Sequence, residues 1–315
     1  MKKLLAVGEC MLELTHENAD TIRKSYAGDT YNALVYANRF NPNIKTSFFT
    51  AIGADEVSND MQERWAFEKI SNEQCIKTKE LTIGIYSIST DELGERSFSY
   101  WRKNSAATHM MTLKPLDELV QMCSGFDIVF FSGITLGILS DEDKGLLFDL
   151  LTQLRRLGSK IAFDPNYRPA MWQNKEHAIH WLEQSYKNSD IVMPGLEEHE
   201  ELYGHTTYQE IADYCHALDA KEVIIKCGKN GTYGFENNQQ VAHQPFEAAP
   251  IQVDSTAAGD SFAGTYLASR LSDSTISQSI KNACFIAGKV VQHKGAILSQ
   301  TIYQSEIATK NKVKV

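Results

Sequence analysis

The segment Asp254-Ser-Thr-Ala-Ala-Gly-Asp-Ser-Phe-Ala-Gly264 carries the strongest structural and chemical signal in this sequence. Its small residues predict a turn in which a charged oxygen can approach the backbone closely. Apolar residues at helical spacing follow the turn, so it lies at the N-terminus of a helix. Unpaired N–H groups and the positive end of the helix dipole favour an anion at such a terminus.

Asp260 lies in the first turn of that helix, where we expect its carboxyl group to be ionised. A carboxylate is unfavourable in a loop that only holds phosphate, because like charges repel. It suits a base that removes a proton from a hydroxyl group while that hydroxyl attacks phosphorus. The alternative interpretation is that Asp254 and Asp260 cap the helix and that the glycines are ordinary turn residues.

Residues 254–260 resemble the C-terminal signature of the ribokinase-like (phosphofructokinase-B type) carbohydrate kinases, commonly Asp-Thr-Thr-Gly-Ala-Gly-Asp. This chain departs from that signature at Ser255 and Ala257, and both changes keep the residues small. The resemblance implies that Asp260 is the catalytic base and that ATP and Mg²⁺ are cofactors. The amides implied to form an anion hole are those of Ala257, Ala258 and Gly259.

The composition restricts the class of protein. The chain has 315 residues and a formal net charge of -9, which argues against nucleic acid and anionic membranes as partners. The apolar run at the N-terminus is too short for a signal peptide, and no apolar stretch reaches membrane-spanning length. The six cysteines show no CxxC pattern, which indicates free thiols in a reducing compartment and no zinc site. We expect a cytoplasmic protein.

Short apolar runs alternate with amphipathic segments along the chain. Such runs predict strands covered on both faces, as in a parallel sheet between helices. The predicted strands are Leu4–Val7, Ile128–Phe131, Ile161–Phe163, Ile191–Met193 and Val223–Ile225. The predicted helices are Thr30–Phe40, Glu56–Ile70, Asp141–Leu157, Lys175–Asn188 and Gln209–Leu218. No linker or repeat divides residues 1–315, so we predict one doubly wound α/β domain, an αβα sandwich with a mostly parallel central sheet.

The predicted strands end in residues that can bind a ligand, and in an open α/β sheet such ends line one crevice. Turn composition alone would explain any one of these ends. Before the first amphipathic helix, Gly28 offers bare backbone to a polyol, and Asp29 and Asn32 offer partners for hydroxyl groups. The segment 27–32 resembles the N-terminal sugar-binding signature of the same family. A routine helix entry is the alternative.

Residues 83–102 interrupt the alternation of strands and helices. Ile83–Thr90 and Arg96–Arg102 are rich in β-forming residues, and Asp91–Gly94 is predicted to be a hairpin loop. Period-two alternation predicts one face with Arg96, Phe98, Tyr100 and Arg102, and another with Tyr86 and Ile88.

A partly exposed sheet with snorkelling arginines is one interpretation of these residues. The family resemblance implies instead a small β lid that closes over the sugar, with strands from roughly residues 10–27 and 83–104. Such strands often pair between subunits in that family, which would make the protein a homo-oligomer.

Four segments resemble the 2-keto-3-deoxygluconate kinases of this family: 8–13, 84–86, 98–102 and 164–169. A substrate carboxylate requires a fixed cationic fork, and arginine supplies one bidentately. The resemblance implies ATP-dependent phosphorylation of this sugar acid at its C6 hydroxyl. The residues implied to hold the acid are Tyr86, Tyr100, Arg102 and Arg168. The alternatives are a kinase for fructose, ribose or a nucleoside, and a non-catalytic sugar-acid sensor.

The segment 226–231 resembles the nucleotide loop of the family, in which Gly228 and Gly231 let backbone approach ATP. A β-turn before a hairpin is the alternative. The sequence contains neither GxxxxGK[ST] nor GxGxxG. The resemblance adds Asn166 and Lys226 to the ATP-binding residues.

The family often carries Asn-x-x-Glu for Mg²⁺, and this chain has Gly195-Leu-Glu-Glu198 at the corresponding place. Glu198 is therefore implied to serve Mg²⁺ through water. The alternative is that Glu197–Glu201 is a solvated helix start.

Overall fold

The apolar runs of the sequence form the strands of a nine-stranded sheet in the computed structural model, which describes residues 1–18, 20–90 and 96–312. A second, smaller sheet accompanies it. The strands of both sheets, in chain order, are β1 (Lys3–Val7), β2 (Met11–His16), β3 (Ile22–Ala27), β4 (Lys45–Gly53), β5 (Cys75–Thr78), β6 (Ile85–Thr90), β7 (Arg96–Trp101), β8 (Ile128–Ser132), β9 (Lys160–Asp164), β10 (Ile191–Val192), β11 (Glu222–Lys226), β12 (Thr232–Glu236) and β13 (Gln239–Gln244).

The helices follow the strands in the alternation that the sequence predicts. They are α1 (Asp29–Phe40), α2 (Glu56–Phe67), α3 (Leu116–Cys123), α4 (Gly133–Ile138), α5 (Asp141–Arg156), α6 (Lys175–Lys187), α7 (Leu196–Tyr203), α8 (Tyr208–Ala217), α9 (Ala258–Leu271), α10 (Ile276–Val290) and α11 (Gln300–Lys312). None of the helices in the described ranges combines the length and the apolarity that a membrane crossing requires. The six cysteines are free thiols.

The large sheet is mostly parallel, as predicted. Its strand order is β13-β12-β11-β10-β9-β8-β1-β4-β5. The neighbouring pairs from β11 to β5 are parallel, whereas β12, near one edge, pairs antiparallel with both β11 and β13. The carboxyl ends of the parallel strands therefore meet along one edge of the sheet, where an open α/β sheet binds its ligands.

Both faces of the large sheet are buried. Along β1, Leu5 and Val7 belong to one apolar cluster, while Leu4 and Ala6 belong to a second cluster on the opposite face. Each fully buried aliphatic side chain contributes about 1.5–3 kcal/mol to stability. This two-sided burial is the reason that the strands are nearly continuous apolar runs in the sequence.

The sequence analysis did not predict β4, although eight of its nine residues are buried. This strand carries the small polar residues Thr46, Ser47 and Thr50 in the interior, so it lacks a continuous apolar run. The hydroxyl of Thr46 accepts a hydrogen bond from the side-chain amide of Asn38 on α1 at 3.3 Å. Tertiary packing thus gives a hydrogen-bond partner to at least one polar side chain of β4. In the sequence, these polar residues make the strand look like an exposed segment.

A separate four-stranded sheet, with the order β3-β2-β6-β7, forms the structure that we call the lid sheet. Its strands fall within the two predicted lid segments. The predicted assignment of its faces is wrong, because β6 and β7 pair antiparallel with Tyr86 opposite Tyr100 and Ile88 opposite Phe98. Directly opposed residues share a face, so these four side chains lie together. The side chain of Arg96 and the predicted loop Asp91–Gly94 lie outside the described residues.

Candidate active site

The turn that precedes α9 is held by Asp254. One of its carboxylate oxygens accepts hydrogen bonds from the backbone N–H and the hydroxyl of Thr256, at 3.0 and 2.6 Å. The other oxygen accepts the N–H of Gly295 at 2.8 Å. Asp254 therefore organises the turn and joins it to the segment after α10.

Ala257 is the N-cap of α9 and has a left-handed backbone conformation, with φ 59° and ψ 15°. An L-residue with a side chain pays about 1–2 kcal/mol in this region, which is the physical reason that glycine suits the position. The Ala257 methyl group packs against a small cluster that includes Tyr86 and Ile88 of the lid sheet. The departure from the family signature thus brings the turn and the lid sheet into contact.

The backbone N–H groups of the predicted anion hole differ in their surroundings. The N–H of Ala258 donates to the carbonyl of Ser255 at 3.2 Å, so this amide has a partner within the turn. Gly259 is exposed, and a Cβ placed on it would meet no atom within 4 Å. The space beside Gly259 is open to a ligand, as the anion-hole hypothesis requires.

Asp260 lies in the first turn of α9, and its Oδ2 accepts a hydrogen bond from Nδ2 of Asn32 at 2.8 Å. Burial and, after it, the nearby carboxylate of Asp29 raise the pKa of Asp260 to about 7. The hydrogen bond from Asn32 and the charge of Arg168 act in the opposite direction. A pKa near the working pH is favourable for a general base.

The first turn of α1 contributes Asp29, whose Oδ2 accepts a hydrogen bond from the side-chain amide of Asn166 at 3.0 Å. Two residues predicted to bind different substrates therefore contact each other. Gly28 has extended backbone, and a Cβ at this position would lie 2.0 Å from the Glu9 carbonyl oxygen. The bare backbone of Gly28 is required by this close packing, whereas the sequence analysis explained it by the approach of a polyol.

At the end of β11, the Lys226 ammonium group forms a salt bridge with Asp164 at 2.7 Å. Glu198 lies nearby and accepts backbone N–H groups of Tyr167 and Gly195, at 3.3 and 3.2 Å. Burial raises the pKa of Glu198 to about 7, against the effect of the Lys226 charge. Glu198 is therefore the N-terminal capping carboxylate of α7, and it is partly buried where the helix-start alternative expected a solvated group.

The lid sheet contains a buried carboxylate that the sequence analysis did not single out as a site residue. Glu13 accepts a short hydrogen bond from the Tyr86 hydroxyl and another from the Ser25 hydroxyl at 2.6 Å. Burial, the Glu13 charge and this hydrogen bond raise the pKa of Tyr86. The rings of Tyr86 and Tyr100 stack with their centroids 5.8 Å apart. The two tyrosines that are predicted to hold the substrate are therefore stacked on each other, and Tyr86 is fixed by its hydrogen bond to Glu13.

Arg102 at the root of the lid sheet binds a second buried carboxylate, Glu9. Nε of Arg102 donates to Oε2 of Glu9 at 2.7 Å, Nη2 contacts the same oxygen, and Ser105 donates to Oε1 at 2.5 Å. The absence of a side chain at Gly84 makes room, because a Cβ there would lie 2.6 Å from Glu9 Oε1. Arg168, in contrast, is exposed and donates to the Tyr167 carbonyl at 3.3 Å.

A cavity of about 910 Å³ opens beside α9. Five of the predicted nucleotide or anion residues line it, namely Lys226, Gly228, Gly231, Ala258 and Gly259. Gly228 and Gly231 have φ of 52° and 88°, and a Cβ on Gly231 would lie 2.4 Å from the Gln244 carbonyl oxygen. These two glycines are therefore required by the backbone of the loop itself.

The cavity also has walls that the sequence analysis missed, formed by residues 244–252 and by α10 residues 281–290. The first segment has no regular secondary structure beyond β13, so no periodicity marks it. The buried carboxylates Glu9 and Glu13 were detectable in principle, because each interrupts or follows an apolar strand at a position that faces the interior.

Comparisons with known proteins show the family to which this chain belongs. The family model described as pfkB family carbohydrate kinase matches residues 1–302. The 2-dehydro-3-deoxygluconokinase of Escherichia coli K12 is 33% identical over 301 residues, which cover 94% of this chain and 97% of that protein.

Solved structures share the fold. A 2-dehydro-3-deoxygluconokinase from Thermotoga maritima superposes with a TM-score of 0.81 at 20% identity, over 98% of this chain and 100% of the other. A putative ribokinase II from E. coli, in complex with ATP and Mg²⁺, gives the same score, identity and coverage.

Proposed function

Because the chain belongs to the pfkB family of carbohydrate kinases, we propose that it transfers the γ-phosphoryl group of ATP to the C6 hydroxyl of 2-keto-3-deoxygluconate. The observation that carries the proposal is the position of Asp260. This carboxylate lies in the first turn of α9, next to Gly259 in the cavity wall, and accepts a hydrogen bond from Asn32, one of the predicted sugar-binding residues.

In the proposed reaction, Asp260 accepts the proton of the substrate hydroxyl as its oxygen attacks the γ-phosphorus. The new O–P bond forms while the bond from phosphorus to the leaving oxygen of ADP breaks. The amides of Ala257 and Gly259 donate to the oxygens of the transferring group, aided by the positive end of the α9 dipole. Closure of the lid sheet would exclude water and limit hydrolysis of ATP.

Mg²⁺ fits this site as a cation held mainly by the ATP phosphates and water. Among the described residues no group of three or more His, Cys, Asp or Glu could hold a metal ion directly. Glu198 and Asp164, which lie close enough to affect each other's charge, would contact the water shell of the cation. When bound with ATP, Mg²⁺ would neutralise charge on the phosphate oxygens. This arrangement does not require the asparagine that Gly195 replaces.

The two arginines support an acidic substrate. Arg168 is exposed beside Asp260, and Arg102 contacts Glu9 through Nε and Nη2 of its guanidinium group. The planar guanidinium group can donate hydrogen bonds to Glu9 from one edge and to a substrate carboxylate from another. The buried carboxylate of Glu9 already compensates most of the positive charge of Arg102. We therefore assign the larger share of substrate-carboxylate binding to Arg168.

We predict that Arg168→Ala and Arg102→Lys each raise KM for the keto acid by roughly 10- to 100-fold, because a charged hydrogen bond contributes about 1.5–3 kcal/mol. KM for ATP should change little. Lysine is chosen at position 102 because alanine would leave Glu9 buried without a cation, which costs about 3–5 kcal/mol. Steady-state kinetics with the keto acid and with a neutral analogue lacking the carboxylate measure the effect.

The matched control is Arg23→Lys, which alters an exposed arginine of the lid sheet that pairs with Glu17 at 3.4 Å. This variant should behave as the wild type. Equal losses for the acid and the neutral analogue in the Arg102 and Arg168 variants would show that these arginines serve the fold or the nucleotide. An ADP-release assay over a panel of keto acids, fructose, ribose and nucleosides tests the substrate class itself.

The edge strand β7 supports assembly through the lid sheet. Phe98, Tyr100 and Trp101 are 45%, 54% and 62% exposed, and they lie on a strand whose outer edge pairs with no other strand of the described residues. We infer that a second copy of the chain covers this edge. Sedimentation should give twice the mass of one chain for the wild type and a lower mass for Trp101→Ser. A wild type that sediments as a monomer at all concentrations would contradict the inference.

A further inference from the structure

We infer that Asn32 is a positioning residue for Asp260, a role that rests on the proposed function. Its side-chain amide holds one carboxylate oxygen of the base, and its side-chain carbonyl accepts a hydrogen bond from a substrate hydroxyl. The orientation of the base then depends on whether the sugar is bound. The sequence analysis placed Asn32 among the sugar-binding residues only.

The contact that carries this inference joins the N-terminal and C-terminal parts of the chain. Nδ2 of Asn32 donates to Oδ2 of Asp260 at 2.8 Å, across 228 residues of sequence. Since Asn32 engages Oδ2, it leaves Oδ1 as the oxygen that takes the substrate proton. The side-chain carbonyl oxygen Oδ1 of Asn32 is buried and has no hydrogen-bond partner among the described residues. A buried acceptor of this kind is costly unless a donor reaches it, and a sugar hydroxyl is such a donor.

Helix packing fixes this contact. A Cβ at Gly264, four residues beyond Asp260 on α9, would lie 1.9 Å from the carbonyl oxygen of Ala33 on α1. The bare glycine therefore lets α9 approach the backbone of α1 directly beside Asn32. Because i and i+4 lie on the same face of a helix, Gly264 and Asp260 both face α1. Asn32 itself is only 4% exposed, so its side chain has little freedom to leave the contact.

The charges around Asp260 make the hydrogen bond from Asn32 important for the pKa of this base. The groups that face Asp260 are Asp29 and Tyr36 on α1, Asp164 at the end of β9, Arg168 after it, and Lys226 at the end of β11. Carboxylates and burial oppose ionisation of Asp260, whereas the amide of Asn32 favours the ionised form that a base requires. Removing this donor should make the base retain its proton to higher pH.

The test compares Asn32→Ser and Asn32→Asp with the wild type in pH profiles of kcat/KM for the keto acid. Serine removes the donor, and aspartate of nearly the same shape adds a like charge. We expect kcat at neutral pH to fall by on the order of tenfold or more in both variants. The acid limb of the profile should move to higher pH in the order wild type, Ser, Asp, while the Kd for ATP stays unchanged.

The control is Asn38→Ser, which alters another buried asparagine on α1 whose amide bonds Thr46. It should leave the acid limb in place. A rise in KM for the keto acid with an unmoved acid limb in both Asn32 variants would overturn the positioning role and leave Asn32 as a substrate contact. An equal limb shift in Asn38→Ser would overturn it as well.

Failure of this inference is distinguishable from failure of the proposed function. If Asp260→Asn is inactive and the Asn32 variants keep the wild-type acid limb, only the positioning role fails. If Asp260→Asn phosphorylates the keto acid normally, the assignment of the base fails, and the positioning role fails with it.

Discussion

Asp260→Asn should lower kcat by on the order of 10²- to 10⁴-fold, the usual contribution of a positioned general base. Asparagine has nearly the same shape as aspartate but cannot accept the proton of the attacking hydroxyl. ATP binding should persist, because the cavity is lined by Gly259 and Phe262 and not by Asp260. Coupled ADP release measures kcat, and calorimetry measures the Kd for ATP.

The wild type should also show an acid limb in kcat/KM near neutral pH. The pKa of Asp260 is raised to about 7, mainly by burial, and only the ionised carboxylate can act as a base. Activity should therefore rise with pH through this range and be lost below it. Asp213→Asn, on the exposed side of α8, is the matched control and should keep wild-type kinetics. A kcat of Asp260→Asn within a few-fold of wild type would refute the assignment.

Gly259→Val should reduce turnover by on the order of 10²- to 10³-fold, the usual cost of losing one donor from an anion hole. The isopropyl group would occupy the open space beside Gly259, where the proposed anion hole would receive the transferring phosphoryl group. The fold should tolerate the change, since a Cβ at this position meets no atom within 4 Å. Single-turnover kinetics and a thermal melt together separate loss of activity from loss of structure.

Gly145→Val provides a matched control for this variant. Gly145 is also a helical glycine, on α5, and a Cβ there likewise meets no atom within 4 Å. Both valine variants should melt at similar temperatures, because they share the helix propensity of valine. Only the Gly259 variant should lose turnover. Normal phosphorylation by a folded Gly259→Val protein would place the anion hole elsewhere.

The sequence by itself determined the class of fold and the turn at 254–260. Strands buried on both faces are usually near-continuous apolar runs, so the runs of β1, β8, β9, β10 and β11 were visible in the sequence. The small residues mark the turn because they leave its backbone accessible, and the apolar residues at helical spacing after it mark the helix. These features depend on the spacing and composition of neighbouring residues, so they can be predicted from the sequence without knowledge of tertiary contacts.

The tertiary structure alone decided which residues the predicted site residues touch. Asn32 reaches Asp260, Asn166 reaches Asp29, and Arg102 is held by Glu9. These partners are far apart in sequence and meet through the crossing of α1 with α9 or the return of the lid sheet. The register of β6 and β7 likewise set the faces of the lid sheet. Pairing across strands and helix approach at Gly264 depend on packing between distant segments, which no local pattern specifies.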